Sequence, residues 1–279
     1  QTITPISSLS TSDNMIYPDV YYIVFDEMSG FDIMHEYWGY NDVDTFVNYL
    51  ESKGFYVAEK SKASSTNTYH ELANRLNYES YPFNSSDYRE YWNEDLNHIA
   101  NNKVMDFFKS LGYTDVVFDE GLPLSTKFKA DIVYTSSMNE LLSWNSGLDE
   151  FGVLVLNNTM FKPFITAMIS NSAAHSDHER MLLFVPDEVN NLETATPKFV
   201  YIHLLIPHMP FLFDANGQRI DLKNQYDWDR YQGYYVFATN YAKILIDNIL
   251  KSSDPNHPPV IVFSSDHGAR NVALETGNK

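Results

Sequence analysis

Cysteine is absent from the chain. That excludes disulfide staples, thiolate metal sites and a cysteine nucleophile. Long apolar runs are missing too. A stretch such as Phe199–Pro207 falls far short of the roughly 20 residues that cross a bilayer. Nothing near the start has the charged-then-apolar form of a signal peptide; residues 1–17 read as a polar, Ser/Thr-rich, linker-like lead-in. Basic residues are scarce, 19 against 37 acidic ones, for a formal charge of −18. Such a balance repels phosphate backbones, which argues against a nucleic-acid partner. It accords with a metal site built from carboxylates, although most of these acids are simply solvated surface.

What is present is apolar and aromatic material. Hydrophobic residues make up 44%, with 18 Phe and 20 Tyr, enough for a sizeable core in a chain of 279 residues. We expect one large α/β domain over residues 18–279. Val20–Phe25 reads as a strand buried on both faces, ending at Asp26. A helix follows over Asn41–Lys53, with Val43, Phe46, Val47 and Leu50 on one face, a cap at Asn41 or Asp42, and Gly54 as its stop. Phe55–Ala58 reads as a short strand. The pattern recurs as a helix over Asn102–Ser110, Gly112, and a strand over Asp115–Phe118.

Further along come a helix near Met160–Ile169, a strand over Lys198–Leu205, a long helix around Trp228–Lys251 and a strand at Val260–Phe263. The face of the long helix carries Tyr234, Phe237, Ala238, Tyr241, Leu245 and Ile249. Asn77–Asn97, rich in Tyr, Asn and Ser, reads as a loop insertion. Strands alternating with helices predict a mainly parallel sheet sandwiched by helices. Ligands of such sheets bind beyond the carboxyl ends of the strands. That rule singles out Asp26, the stretch His203–Phe211, and Asp266 with His267.

Carboxylate and imidazole donors at neighbouring strand ends can form the shell of a hard or borderline divalent cation. Adjacent Asp266 and His267 can reach one ion only from a turn, which Gly268 permits. The competing reading makes Asp266 a cap and His267 a backbone-bonded side chain. Ser64–Thr68 leads into a helix with Leu72, Ala73 and Leu76 as its apolar positions. A hydroxyl at such a start is ordinarily an N-cap. The same place suits a nucleophile, because a helix N-terminus favours an alkoxide and the phosphate it attacks. His175 and His178 have helical ligand spacing, but so short a pattern often matches by chance.

Four ordered motifs resemble the sulfatase-like branch of the alkaline phosphatase superfamily, in particular its phosphoglycerol and phosphoethanolamine transferases. They are Tyr21–Asp26 with Phe31–Asp32, Tyr40–Asn41 and Gly54–Ala58; Thr68–Asn77; Pro197–Phe211 with Asp214–Gly217; and Ser265–Gly268. The resemblance implies an alkaline-phosphatase-like fold. It assigns Asp26, Asp266 and His267 to one divalent metal ion, and Thr68 to that ion and to the role of nucleophile. His208 would contact the substrate or leaving group; His203 is a second substrate-side candidate, although an imidazole on an apolar strand is more often a core residue. Ser65 and Thr66 stay open as rivals to Thr68. Mixed Asp/His ligation favours Mn or Zn and also admits Mg or Ca.

Sulfatase activity is disfavoured, because no Cys or Ser stands in a Cys/Ser-x-Pro-x-Arg context. The Asp-x-x-x-His pair of two-zinc members is absent near His208, which points to one metal. The expected activity is a metal-dependent phosphotransferase or phosphodiester hydrolase, acting on a phosphate ester such as an envelope lipid or glycan headgroup. Members often carry this domain outside the cytoplasmic membrane behind membrane-spanning segments, so membrane association would run through segments absent from this chain. Superfamily domains continue with further strands after this motif, so the expectation is of a domain without its usual C-terminal part. The alternative is a degenerate domain that binds a ligand or partner without turning it over.

Overall fold

The computed structural model describes residues 17–58, 60–80, 88–119, 128–135 and 177–272. Among them, five strands form one all-parallel sheet: β1 (Val20–Phe25), β2 (Thr114–Asp119), β3 (Ile132–Thr135), β4 (Lys198–Leu204) and β5 (Val260–Ser265), in the order β3-β2-β4-β1-β5. Helices cover both faces: α1 (Phe31–Glu36), α2 (Val43–Ser52), α3 (Thr68–Asn77), α4 (Tyr88–Ala100), α5 (Lys103–Ser110), α6 (Asp177–Asn191) and α7 (Tyr231–Ser252). The expected α/β class and parallel sheet are therefore present.

The alternation of β1 sorts the core into two halves. Tyr21, Ile23 and Phe25 pack with Phe46 and Leu50 of α2, Val185 of α6 and Leu245 of α7. Val20, Tyr22 and Val24 face Leu72 and Leu76 of α3, Ile99 of α4 and Val104 of α5. With both faces covered, β1 can be apolar without interruption. Each large side chain so buried contributes about 1.5–3 kcal/mol.

Helix ends follow their residues closely. Gly54 lies at φ +87° after α2, its N–H on the Glu51 carbonyl while the Phe55 N–H reaches the Leu50 carbonyl, a Schellman stop. Gly112 and Tyr113 repeat the pattern on Lys109 and Phe108. Asn102 caps α5 by accepting the Met105 N–H at 2.9 Å.

Three expectations change. Phe55–Ala58 joins no strand; Phe55 and Val57 pack against the core and Tyr56 points to solvent, so the two-residue alternation is met without a ladder. Asn77–Asn97 is not one loop, because α4 begins at Tyr88. Its inward positions Trp92, Leu96 and Ile99 have helical spacing, masked in sequence by the polar residues between them. The long helix starts at Tyr231, preceded by a 3-10 turn over Trp228–Arg230. The helix expected near Met160–Ile169, and His175, lie outside the described residues. No helix among the described residues is long and apolar enough to cross a membrane.

Candidate metal centre and nucleophile loop

Strand register builds the site. Phe25 of β1 is level with Ser265 of β5 and with Leu204 of β4. The next residues, Asp26 and Asp266, therefore leave the sheet side by side at its carboxyl edge. His203 lies one step back on β4, opposite Val24. Ligand atoms of Asp26, Asp266 and His267 fall within 4.8 Å of one another, and all three residues are buried. From His267 Nε2 to Asp266 Oδ2 is 3.4 Å and to Asp26 Oδ1 3.9 Å.

Backbone groups fix the ligating atoms. His267 donates its Nδ1–H to the Gly268 carbonyl at 2.8 Å, which leaves the Nε2 lone pair facing the carboxylates. Asp266 Oδ1 accepts the N–H groups of Glu27 (2.9 Å) and His267 (2.6 Å), whereas its buried Oδ2 has no hydrogen-bond partner. Burial alone would raise the pKa of Asp266; the imidazoles of His267 and His203 and the two N–H groups outweigh it and hold the acid below the usual range. A buried, charged carboxylate with a bare oxygen next to an imidazole lone pair suits a cation. The residues thus fit the divalent metal that the resemblance implied.

Thr68 is the first residue of α3, not its cap. Asn67 holds the cap position and accepts the His70 N–H at 3.2 Å. The Thr68 hydroxyl is thereby left for the site, with Oγ1 3.3 Å from His267 Nε2. The hydroxyl oxygens of the neighbouring Ser64 and Ser65 have partners within the loop. Ser64 donates its hydroxyl to Glu71 Oε2 at 2.6 Å, and Ser65 Oγ accepts the Asn67 N–H at 3.0 Å. Glu71 also takes the N–H groups of Ser64 and Ser65, pinning the loop that presents Thr68. Thr66 offers the site its carbonyl, 3.4 Å from Arg270 Nε.

Two residues that sequence reasoning passed over complete the surroundings. Glu27 follows Asp26 in the left-handed region, at φ +64°, a strained place for a side chain of its size. Its carboxylate is fully buried, and that burial lifts its pKa against the pull of Arg270. Tyr231 of α7 props this turn: its hydroxyl donates to the Glu27 carbonyl (2.8 Å) and accepts the Ser29 N–H (2.9 Å). Arg270 sits with Nη1 2.7 Å from His208 Nε2 and Nη2 3.1 Å from His267 Nε2. His208 gives its Nδ1–H to the Met209 carbonyl, so Nε2 is the acceptor for Arg270. Burial and the Arg270 charge push His208 down to about 4. The adjacency of Asp26 and Glu27, and the spacing of Arg270 four residues past Asp266, were visible in the sequence but did not reveal these partners.

The remaining expected residues separate as follows. His203 Nε2 is 3.9 Å from Asp26 Oδ2, and the residue is buried. His178, the helical decoy, is buried with Nε2 3.1 Å from the Tyr234 hydroxyl, a packing role. A cavity of about 840 Å³ adjoins the site along β5, lined by Ser29, Phe31, Lys62, Glu71 and Phe263 together with Asp266 and His267. Comparison with protein-family models, with curated proteins and with solved structures returns no match.

Proposed function

We propose that the protein is a metal-dependent enzyme of phosphate esters, a phosphotransferase or phosphodiester hydrolase with Thr68 as its nucleophile. The observation that carries this reading is the meeting of Thr68 Oγ1 with His267 Nε2, at 3.3 Å, beside the paired carboxylates of Asp26 and Asp266. Those three groups and the Thr68 hydroxyl would hold the divalent cation, which lowers the hydroxyl pKa and offsets charge on the phosphoryl oxygens. The resemblance to the sulfatase-like branch of the alkaline phosphatase superfamily, borne by these same residues, supports the reaction class.

In this reading Thr68 loses its proton to solvent and Oγ1 attacks phosphorus. The ester P–O bond to the leaving group breaks, and the departing oxygen is protonated. Water or an acceptor alcohol then cleaves the phospho-Thr68 ester and restores the hydroxyl. The N-terminal amides of α3 favour the negative charge that develops at its first residue. His208, whose side chain is 24% exposed, would contact the leaving group, as the resemblance implies. We place the reaction outside the cytoplasmic membrane, in line with the same resemblance.

The test is turnover of a chromogenic phosphodiester by wild-type protein and Thr68→Ala with Mn²⁺ added. Thr68→Ala should lower turnover by about 100-fold or more while the circular-dichroism spectrum stays unchanged. Unchanged activity would move the role to another hydroxyl. Wild-type protein that turns over nothing with Mn²⁺, Zn²⁺, Mg²⁺ or Ca²⁺ would favour the ligand-binding, non-catalytic alternative.

A further inference from the structure

We propose that Arg270 is the anion-binding residue of this site, taking the non-bridging oxygens of a phosphoryl group, and that a bound cation frees it to do so. The inference rests on the reading above and adds to it a binding group and its coupling to the metal.

Arg270 is held firmly at its root and poorly at its head. Its backbone N–H donates to Glu27 Oε1 at 2.8 Å, and its Nε reaches the Thr66 carbonyl at 3.4 Å. The guanidinium therefore projects across the mouth between β1, β5 and the nucleophile loop. There its two terminal nitrogens meet imidazole lone pairs, His208 Nε2 and His267 Nε2, with Thr68 Oγ1 3.5 Å from Nη2. The nearest carboxylate oxygen, Glu27 Oε1, lies 3.5 Å from Nη1, short of a bidentate pair. A permanently charged planar fork is matched by a carboxylate or phosphate, not by two imidazoles. With its side chain 40% exposed, Arg270 is open to such an anion from solvent.

The contact with His267 adds the coupling. Nε2 of His267 has one lone pair, which can face Nη2 or ligate a cation but not both. A cation taking that lone pair displaces Nη2 from it, and the freed edge of the fork lies beside the nucleophile. Arg270 then serves as a second positive charge where a phosphoryl group must sit to be attacked. It opposes the metal and recruits the anion.

Isothermal titration decides the matter, with Mn²⁺ as the first probe and inorganic phosphate, added to the Mn²⁺-loaded protein, as the second. The proteins are wild type, Arg270→Gln, Arg270→Lys and Thr68→Ala. Arg270→Gln should bind Mn²⁺ more tightly, by about threefold or more, because a competing charge is gone. It should bind phosphate more weakly, by about tenfold or more, the loss of a charge-assisted pair. Arg270→Lys should fall between, since it keeps the charge without the fork. A merely structural role would weaken both ligands, and that result overturns the proposal. So do unchanged phosphate affinity in Arg270→Gln and wild-type protein that binds no Mn²⁺ or no phosphate. Thr68→Ala separates the two readings: if Thr68 is not needed for turnover but Arg270→Gln shows opposite changes for the two probes, the nucleophile reading falls and the Arg270 assignment stands.

Discussion

Arg75 and Asp266 are joined across the sheet: Nη2 of Arg75, on the second turn of α3, lies 3.1 Å from the Asp266 carbonyl. Nη1 reaches the Ser265 carbonyl at 2.6 Å, and Glu71 holds the guanidinium from the same helix at 2.8 Å. The helix that begins with Thr68 is thus fastened to the turn that carries Asp266 and His267. Replacing Arg75 with Met should cost about 2–3 kcal/mol, because buried carbonyls lose charged donors. Urea unfolding would measure the cost. Turnover should fall as well, although Arg75 touches neither Thr68 nor His267.

Metal removal gives a second measurement. Binding to the folded state alone raises stability by about 2.7 kcal/mol at a hundred times Kd. Thermal unfolding of wild type should therefore shift upward with Mn²⁺ or Zn²⁺ and return with EDTA. His267→Ala should lose most of that shift, having lost the lone pair that faces both carboxylates. A shift of wild-type size in His267→Ala would remove it from the ligand set.

Asp115 predicts a pH dependence away from the site. It is buried at the start of β2, both carboxylate oxygens lack a hydrogen-bond partner, and burial with the nearby Asp131 raises its pKa to about 6. The folded state thus holds this proton more tightly than the unfolded chain, whose value is near 3.8. The stabilisation from protonation is complete below about 3.8 and is lost as pH rises through about 6. Lys109, paired with Asp131, moderates the effect. Asp115→Asn should therefore gain about 1–2 kcal/mol at pH 7–8 and nothing at pH 3.5, read from chemical unfolding at the two pH values.

Tyr231 is another support of the site. Tyr231→Phe keeps the ring stacked on Trp38 but leaves the Ser29 N–H and the Glu27 carbonyl without their partner. The expected cost is about 1–3 kcal/mol, measured by urea unfolding. A loss near zero would show that the strained turn at Glu27 is held by other contacts.

Much of this architecture was legible because burial leaves a direct trace in sequence. The uninterrupted apolar run Val20–Phe25 marked a strand covered on both faces, and its last neighbour, Asp26, marked the edge where ligands gather. Gly54 and Gly112 announced their helix ends by the left-handed backbone those turns require. What stayed hidden depends on partners distant along the chain. Arg75 reads as an ordinary helix residue until β5 brings its carbonyls alongside. Glu27 reads as a second surface acid until Arg270 and Tyr231 close over it. The alternation in Phe55–Ala58 misled because packing on a core and pairing in a sheet impose the same two-residue period.

The position of β5 bears on how the molecule acquires its chemistry. This strand hydrogen-bonds to β1 alone among the described strands, yet the residues that follow it supply Asp266, His267 and Arg270. Asp26 and Asp266 are 240 positions apart in the chain, so the site closes through a contact of long sequence separation, the slowest kind to form. During synthesis, β1–β4 can assemble while the pocket still lacks two of its three ligands. Activity would then be withheld from an unfinished chain until β5 docks.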